Sequence, residues 1–222
     1  YEIKNIRMIS VGSLAGLMSV KKGEADIAGI HLLDEETLTY NVPFLVKYNV
    51  DNAVLIRGYI REQGLVVRKG NPMNIKSFED LLQKEVKFIN RNKGSGTRVL
   101  IDHELKKLAE KLGKPINEIK NKLKGYSIEA KTHSAVALAV VMGRADVGVA
   151  IKSAAMMYGL EFIPLKQENY DFLVNKSALS KKSVQAFIRA LKSKKFKEKL
   201  LEMGMKVPPD IGEVIWKPKG TS

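Results

Sequence analysis

The segment Val86-Lys87-Phe88-Ile89-Asn90-Arg91-Asn92-Lys93-Gly94-Ser95-Gly96-Thr97-Arg98 decides the fold class. Its apolar start has the length and composition of a buried strand, and its glycines mark a turn. A helix ending at Gly113 is predicted next, because apolar residues recur on one helical face: Ile101, Leu105, Leu108 and Leu112. Short apolar runs alternate with helical periodicity along the rest of the chain as well, which indicates an α/β protein.

Apolar patterning predicts further elements on both sides of this segment. Residues 6–11 are expected to form a buried strand, and residues 53–67 a long β stretch that is interrupted at Gly58 and Gly64. Residues 135–142 form a small-residue helix that is apolar nearly all round, so we expect it to be buried.

The order of the elements predicts two lobes rather than two consecutive domains. The apolar stretch before Asn71 and the one after Phe162 are both suited to cross between lobes. Lobe 1 is therefore expected to comprise residues 1–60 and 166–222, and lobe 2 to be a central insertion over residues 61–165.

Composition excludes several classes of protein. The 222 residues are 45% hydrophobic and 28% charged, which is ordinary for a globular chain. The absence of cysteine excludes disulfides, thiolate metal sites and cysteine nucleophiles. No apolar run approaches the roughly 20 residues of a membrane span. The chain opens at Tyr1 rather than Met and without a secretory apolar segment, which indicates a fragment whose compartment cannot be read from this end. A cytoplasmic protein of undetermined oligomeric state is the expectation.

The strong positive charge raises the alternative of a nucleic-acid or polyanion partner. Lysine and arginine number 38 against 24 acidic residues, for a net charge of +14. The densest run lies in one predicted amphipathic helix: Lys192, Lys194, Lys195, Lys197 and Lys199. Because it lacks the interleaved aromatic residues and arginines of a nucleic-acid groove, a solvated helix face is the favoured interpretation.

Glycine and hydroxyl residues open three of the predicted helices. The three turns contain Gly12-Ser13-Leu14, Gly94-Ser95-Gly96-Thr97 and Thr132-His133-Ser134. The first N–H groups of a helix lack intrahelical partners, and the helix dipole adds partial positive charge there. These turns therefore predict a cradle for a small anion, while ordinary N-capping by the same hydroxyls is the alternative.

The middle turn does not match a nucleotide-binding motif. No Gly-Lys-Ser/Thr follows at P-loop spacing, and Val99 stands where the third glycine of a dinucleotide fingerprint would be. Arg91 and Arg98 flank this turn and are suited to bind an oxyanion through forked donors, although a surface helix position is the alternative for Arg98.

The histidines and acidic residues do not predict catalysis. His31 lies at the carboxyl end of a predicted strand, where open α/β sheets bind ligands, and either a donor role or a structural role suits it. His31, His103 and His133 lack metal-ligand spacing, and no Gly-x-Ser-x-Gly elbow is present. Asp146 is expected to cap or orient nearby backbone. The sequence thus predicts a non-catalytic protein without a resident metal or cofactor.

Segments along nearly the whole chain resemble one known family. The similarity begins with Val11–Gly16 and Gly23–Asp34, and it continues in order through Tyr40–Phe44, Gln63–Val67, Gly70–Pro72, Phe88–Arg91, Gly94–Arg98, Thr132–His133, Ala145–Gly148 and Tyr170–Asp171. These segments resemble the substrate-binding domain that is fused to archaeal and bacterial MoeA-like molybdopterin proteins and to some DNA-binding regulators.

The resemblance implies a type II periplasmic-binding-protein fold, with two α/β lobes joined by two crossover strands and a ligand in the cleft. Members usually begin with an additional strand and helix, so the chain is expected to lack that first unit. A fused MoeA-like or DNA-binding domain is the implied partner. The two remaining functional alternatives are a nucleic-acid-binding regulatory module and an accessory domain of a molybdenum-cofactor biosynthesis enzyme.

The ligand and its contacts follow from the same resemblance. The more distant molybdate- and tungstate-binding proteins are similar at the first and middle turns, which implies molybdate or tungstate as the bound oxyanion. By that analogy the contacts fall on six residues: Ser13, His31, Arg91, Ser95, Gly96 and Thr97. The wider set of ligand-binding candidates adds Gly12, Leu14, Arg98, Thr132, His133, Asp146 and Tyr170.

Overall fold

The computed structural model describes residues 6–9, 11–34, 36–37 and 39–219. The chain forms two compact units, the first made of Tyr1–Arg61 and Glu168–Ser222 and the second of Glu62–Gln167. The chain passes from one unit to the other inside two 15-residue strands. No helix among the described residues combines the length and the apolar character that crossing a membrane requires.

The helices and strands follow one another in chain order: α1 (Ser13–Lys21), β1 (Ile27–Ile30), α2 (Val42–Lys47), β2 (Ala53–Val67), α3 (Asp80–Gln83), β3 (Phe88–Arg91), α4 (Gly96–Leu112), α5 (Ile116–Lys122), β4 (Glu129–Ala130), α6 (His133–Val141), β5 (Val147–Ile151), α7 (Lys152–Met157), β6 (Glu161–Asn175), a 3₁₀ turn (Lys176–Ala178), α8 (Lys182–Lys192), α9 (Lys194–Glu202) and β7 (Val214–Trp216).

In the first unit, α1 packs against β1 because Leu17 and Val20 are fully buried three positions apart on one helical face. β1 pairs antiparallel with β6, with Ile30 opposite Asp171, and β7 pairs with β2. This packing brings the beginning of α1 to the residue that follows β1, since the His31 N–H donates to the side chain of the first residue of α1.

In the second unit, β5 pairs antiparallel with Gln63–Val67 of β2 and parallel with β3. β3 also pairs parallel with β4, which is an edge strand among the described residues. The predicted apolar face of α4 packs on this sheet through Ile101, Leu105 and Leu108, which are buried, while Leu112 is 49% exposed. The strand–turn–helix order predicted around Arg91 is therefore confirmed.

The predicted interruptions of the long β stretch are wrong, because β2 is continuous through both glycines. A Cβ atom on Gly58 would lie 1.9 Å from the carbonyl oxygen of Tyr170. A Cβ atom on Gly64 would lie 2.2 Å from the carbonyl oxygen of Ile163. The glycines are needed because the backbone of β6 approaches β2 too closely for a side chain, which is a recognised use of glycine inside strands.

Two other predictions differ from the structure. Residues 6–9 and 11 do not form a buried strand, and Met8 is 90% exposed; residue 10 lies outside the described residues. An apolar segment forms a strand only where a neighbouring strand supplies partners for its backbone hydrogen bonds. α6 is not buried all round either, because Leu138 and Val141 are 43% and 45% exposed. An all-apolar helix gives no sequence signal of which side lacks a neighbour.

The close approach at Gly58 predicts a large cost for adding one methyl group. Gly58→Ala should lower the free energy of unfolding by about 1–3 kcal/mol, because the backbone of β6 must move to admit the Cβ. Urea unfolding measures the loss. Gly12→Ala is the matched control, since Gly12 has negative φ and no atom within 4 Å of a built Cβ. Equal stability of the two variants would contradict the close approach.

Candidate functional site

The beginning of α1 meets the end of β1 in the first unit. The His31 N–H donates to the Ser13 hydroxyl oxygen at 3.2 Å. Gly12 occupies the N-cap position of α1 and has no side chain to cap the helix, and Leu14 is 41% exposed. The Ser13 hydroxyl proton and the first amides of α1 therefore remain available as donors to an acceptor from outside the helix.

A buried carboxylate lies behind His31. Glu168, on β6, is 2% exposed, and its Oε1 accepts a hydrogen bond from Arg61 Nε at 2.7 Å and another from Arg61 Nη2. His31 Nδ1 lies 3.3 Å from Glu168 Oε2, as an electrostatic contact without the alignment of a hydrogen bond. Burial alone raises the pKa of Glu168, but the positive charge of Arg61 and the contact with His31 outweigh it and lower the pKa to about 2.

Tyr170 forms an aromatic support for His31. The two rings stack with centroids 5.5 Å apart, and Tyr59 stacks on Tyr170 at 5.1 Å. The Arg61 guanidinium lies 4.6 Å from the centroid of the Tyr170 ring. Burial raises the pKa of Tyr59 to about 12, so its phenol stays neutral. These contacts hold the imidazole in place, with 23% of the His31 side chain exposed.

Arg91 lies at the end of β3 in the second unit, between the beginnings of α4 and α6. Its side chain is 7% exposed, and its Nε and Nη2 each donate at 3.2 Å, to Ala130 O and Lys131 O. Nη1 lies 3.1 Å from His133 Nδ1 and 3.5 Å from Thr97 Oγ1. The structure thus brings together three of the predicted site residues: Arg91, Thr97 and His133.

The hydroxyls at the two helix beginnings act as N-caps. Ser95 Oγ accepts from Arg98 N at 3.2 Å, and Thr132 Oγ1 accepts from Ala135 N at 3.0 Å. A capping oxygen keeps its own hydroxyl proton, and the amides of Gly96 and the residue after it precede the first intrahelical hydrogen bond of α4. Capping and anion binding are therefore compatible at both turns.

The Arg98 guanidinium binds groups of the protein itself. Nε lies 3.1 Å from Asp102 Oδ2, and Nη1 donates to Glu129 Oε1 at 2.9 Å. It also lies over the Tyr126 ring at 4.5 Å. Because Arg98 is 6% exposed, these contacts orient the first turn of α4 and the neighbouring edge strand.

The Asp146 carboxylate fixes the entry to β3. Its Oδ2 accepts from Lys87 N at 2.9 Å, and its Oδ1 lies 3.2 Å from Arg68 Nη2. Both oxygens are thereby directed at groups of the same unit. Within the described residues, no three His, Asp or Glu side chains are grouped so that they could hold a metal ion.

Sequence reasoning missed Glu168 and Arg61. They lie 107 positions apart in the chain, and neither belongs to a glycine-rich turn or a recognisable motif. Only the pairing of the strands that carry them reveals the buried ion pair.

The chain is similar to known proteins in both sequence and structure. A family model described as a PBP superfamily domain matches residues 3–192. The uncharacterized protein YvgK of Bacillus subtilis (strain 168) is 36% identical over 205 residues, which cover 92% of this chain and 63% of YvgK. The chain thus spans less than two thirds of the length of this relative.

Two similar solved structures are ligand-binding components of transporters. The substrate-binding domain of a putative molybdenum ABC transporter from Clostridium difficile is 15% identical, with a TM-score of 0.59 over 89% of this chain and 84% of that one. An ABC-type phosphate transport receptor from Vibrio cholerae is 19% identical, with a TM-score of 0.54 over 89% and 86%. These likenesses confirm the predicted type II periplasmic-binding-protein fold.

The buried ion pair predicts a specific dependence of stability on pH. The pKa of Glu168 is lowered from 4.5 to about 2 in the folded protein, so its stabilising contribution is complete above its unfolded pKa and is lost as the pH falls toward 2. Urea unfolding should therefore show a wild-type free energy of unfolding that falls between about pH 5 and pH 2.

Glu168→Gln should show a shallower dependence over the same range, because the titrating group is gone. At pH 7 it should be less stable than wild type by about 3 kcal/mol, since Arg61 loses its buried partner charge. Glu110→Gln, at an exposed position of α4, is the control and should follow the wild-type curve. Parallel pH profiles for Glu168→Gln and wild type would show that the carboxyl group does not titrate as described.

Proposed function

The chain belongs to the PBP superfamily, and on that basis we propose that it is a non-catalytic binding domain for a small oxyanion, with molybdate or tungstate as the ligand. The solved structures that it resembles include substrate-binding components of transporters. The two compact units are proposed to be the two lobes of this fold, and each carries its own set of candidate donors.

The placement of Arg91 is the observation that supports this proposal most directly. A buried guanidinium is held by two backbone carbonyls between the beginnings of two helices. Helix N-termini attract anions through free N–H groups and the helix dipole, and arginine adds a full charge with forked donors. Thr97 and His133 lie within 3.5 Å of Arg91, so donors from three elements converge.

The first unit supports the proposal with a second set of donors. The Ser13 hydroxyl and the first amides of α1, which lack intrahelical acceptors, lie at the beginning of the helix next to His31. Glu168 does not oppose an anion strongly, because its negative charge is compensated by the ion pair with Arg61. The His31 side chain is 23% exposed, and we propose that its other ring nitrogen contacts the ligand.

Molybdate and tungstate are favoured over phosphate by the chemistry of these groups. Molybdate, tungstate and sulfate are fully deprotonated dianions near neutral pH and need only donors, whereas hydrogen phosphate also presents a proton that needs an acceptor. The described groups at the helix beginnings are mainly donors, and the Glu168 carboxylate is 2% exposed and bound to Arg61. The molybdenum transporter domain among the similar structures supports the same choice.

The proposed context is a larger protein. YvgK extends beyond the part that this chain matches, so we propose that a MoeA-like or DNA-binding domain accompanies the binding domain in a cytoplasmic protein. The polyanion alternative is weakened because three lysines of the late helices form ion pairs: Lys192 with Glu213, Lys194 with Glu198 and Lys199 with Glu202. DNA binding that falls steeply with salt would favour the alternative instead.

Calorimetry with four anions tests the ligand class. Molybdate and tungstate should bind, with sulfate weaker and phosphate weakest. Arg91→Ala should weaken molybdate binding by about 1.5–3 kcal/mol, as expected for a charged hydrogen-bond donor. Arg91→Lys keeps the positive charge but loses the forked pair of donor groups, so its affinity for molybdate should lie between those of Arg91→Ala and wild type. Circular dichroism confirms that each variant is folded. Absence of binding by all four anions, or unchanged affinity in folded Arg91→Ala, would refute the proposal.

A matched pair of serine variants separates ligand binding from helix capping. Ser95 and Ser193 are both N-caps that accept from the third helical amide, at 3.2 Å and 3.3 Å. Each alanine variant should lose about 1 kcal/mol of stability for its missing cap. Only Ser95→Ala should also weaken molybdate binding, by about 1 kcal/mol. If both variants bind molybdate as tightly as wild type, Ser95 acts as a cap alone.

A further inference from the structure

The second unit carries a groove that the anion-binding groups do not use. It has a volume of about 740 Å³ and lies between α6, the start of β3 and the edge strand β4. Large aliphatic side chains line it, and three of them are exposed: Ile128 by 60%, Leu138 by 43% and Met142 by 54%. Leu138 and Met142 are four positions apart and so lie on the same side of the helix. The groove therefore presents a continuous apolar surface to its surroundings.

Four cationic side chains surround this apolar surface: Lys87, Lys124, Lys131 and Arg144. All four residues are exposed, and the part of the chain that the structure describes gives none of them an ion-pair partner. The groove also contains Glu129, but that carboxylate is bound to Arg98 at 2.9 Å. The rim thus has a positive charge without an ion-pair partner among the described residues, whereas Lys192, Lys194 and Lys199 of α8 and α9 are each paired with a glutamate.

We propose that this groove binds an amphipathic helix of a partner protein, with an apolar stripe that enters the groove and acidic residues that meet the four cations. Amphipathic helices recognise hydrophobic grooves in this manner, through apolar anchors three and four positions apart. Charge complementarity identifies the acidic character of the partner helix.

The same observations disfavour other occupants. A nucleic acid would gain little, because the one aromatic side chain in the lining, Phe88, is 1% exposed and offers no face for base stacking. A second copy of this chain carries the same net charge of +14, which repels the basic rim. A lipid bilayer is flat on this scale and does not fill a concave groove. The groove lining does not include Arg91, Thr97 or His133, so a helix can bind there whichever anion the chain takes.

Fluorescence anisotropy with a designed probe tests the proposal. The probe is a labelled helical peptide that has leucine at every third or fourth position and glutamate elsewhere. A second peptide of the same composition but scrambled order has no apolar stripe and should not bind. The ordered peptide should bind the wild-type protein, and Leu138→Gln should clearly weaken its affinity. Leu201→Gln is the control, at a position in α9 that is 59% exposed, and it should leave the affinity unchanged.

Charge reversal provides the second test. Lys124→Glu combined with Arg144→Glu should weaken peptide binding about tenfold or more. Lys182→Glu combined with Lys195→Glu changes the net charge by the same amount at exposed positions outside the groove, and it should leave affinity within about twofold. A loss that is equal for the two double variants would attribute binding to the overall charge and overturn the proposal.

Two further results would also overturn it. One is the absence of any anisotropy change with the ordered peptide. The other is binding to vesicles of phosphatidylcholine and phosphatidylglycerol in equal parts that is abolished by Lys124→Glu with Arg144→Glu, since that result would assign the surface to a membrane. Molybdate calorimetry on the same double variant should match wild type, so failure of this proposal is distinguishable from failure of the proposed anion binding.

Discussion

The close approach of the β6 backbone to β2 is the constraint on which both units depend. At Gly58 the carbonyl of Tyr170 occupies the space of a side chain, and at Gly64 the carbonyl of Ile163 does the same. In the first unit, the position of β6 sets β1, which pairs with it and presents His31. In the second unit, β2 sets β5 and then β3, which presents Arg91. The positions of His31 and Arg91 therefore depend on the absence of a Cβ atom at Gly58 and at Gly64.

The two units stabilise their buried charged side chains in different ways. Glu168 is compensated by Arg61 and by contact with His31, which makes the pair costly to break rather than a large net source of stability. The Arg91 guanidinium is held by backbone carbonyls and lies beside a hydroxyl and an imidazole. The two carbonyl groups are neutral acceptors, and they fix the orientation of the guanidinium. A buried cation oriented in this way is suited to an anionic ligand.

The sequence predicted what is encoded locally. The strand, turn and helix around Arg91 follow from apolar periodicity and glycine, and both capping hydroxyls lie where the turn pattern placed them. Long-range features were not predictable. The Glu168–Arg61 pair joins residues 107 positions apart. The glycines of β2 were interpreted as breaks in the strand, because the β6 carbonyl groups that approach them are distant in the sequence. The exposed side of α6 escaped prediction as well, because a helix that is apolar all round does not show which side is uncovered.

Net charge is a poor guide to the function of this chain, whereas the local arrangement of charge is informative. An excess of +14 suggests a polyanion partner for the whole surface, yet lysines of α8 and α9 are paired with neighbouring glutamates. The cations that matter are of two kinds: Arg91, which is buried and oriented at two helix beginnings, and the four around the apolar groove, which are exposed beside Leu138 and Met142.

The first kind suits a compact anion that is desolvated on binding, because a buried guanidinium acts at short range in a low dielectric. The second kind suits a larger acidic surface, because exposed lysines contribute mainly orientation and association rate while apolar contact supplies the affinity. The same excess charge is therefore compatible with both proposed recognition events, which differ in whether the cations are buried or exposed.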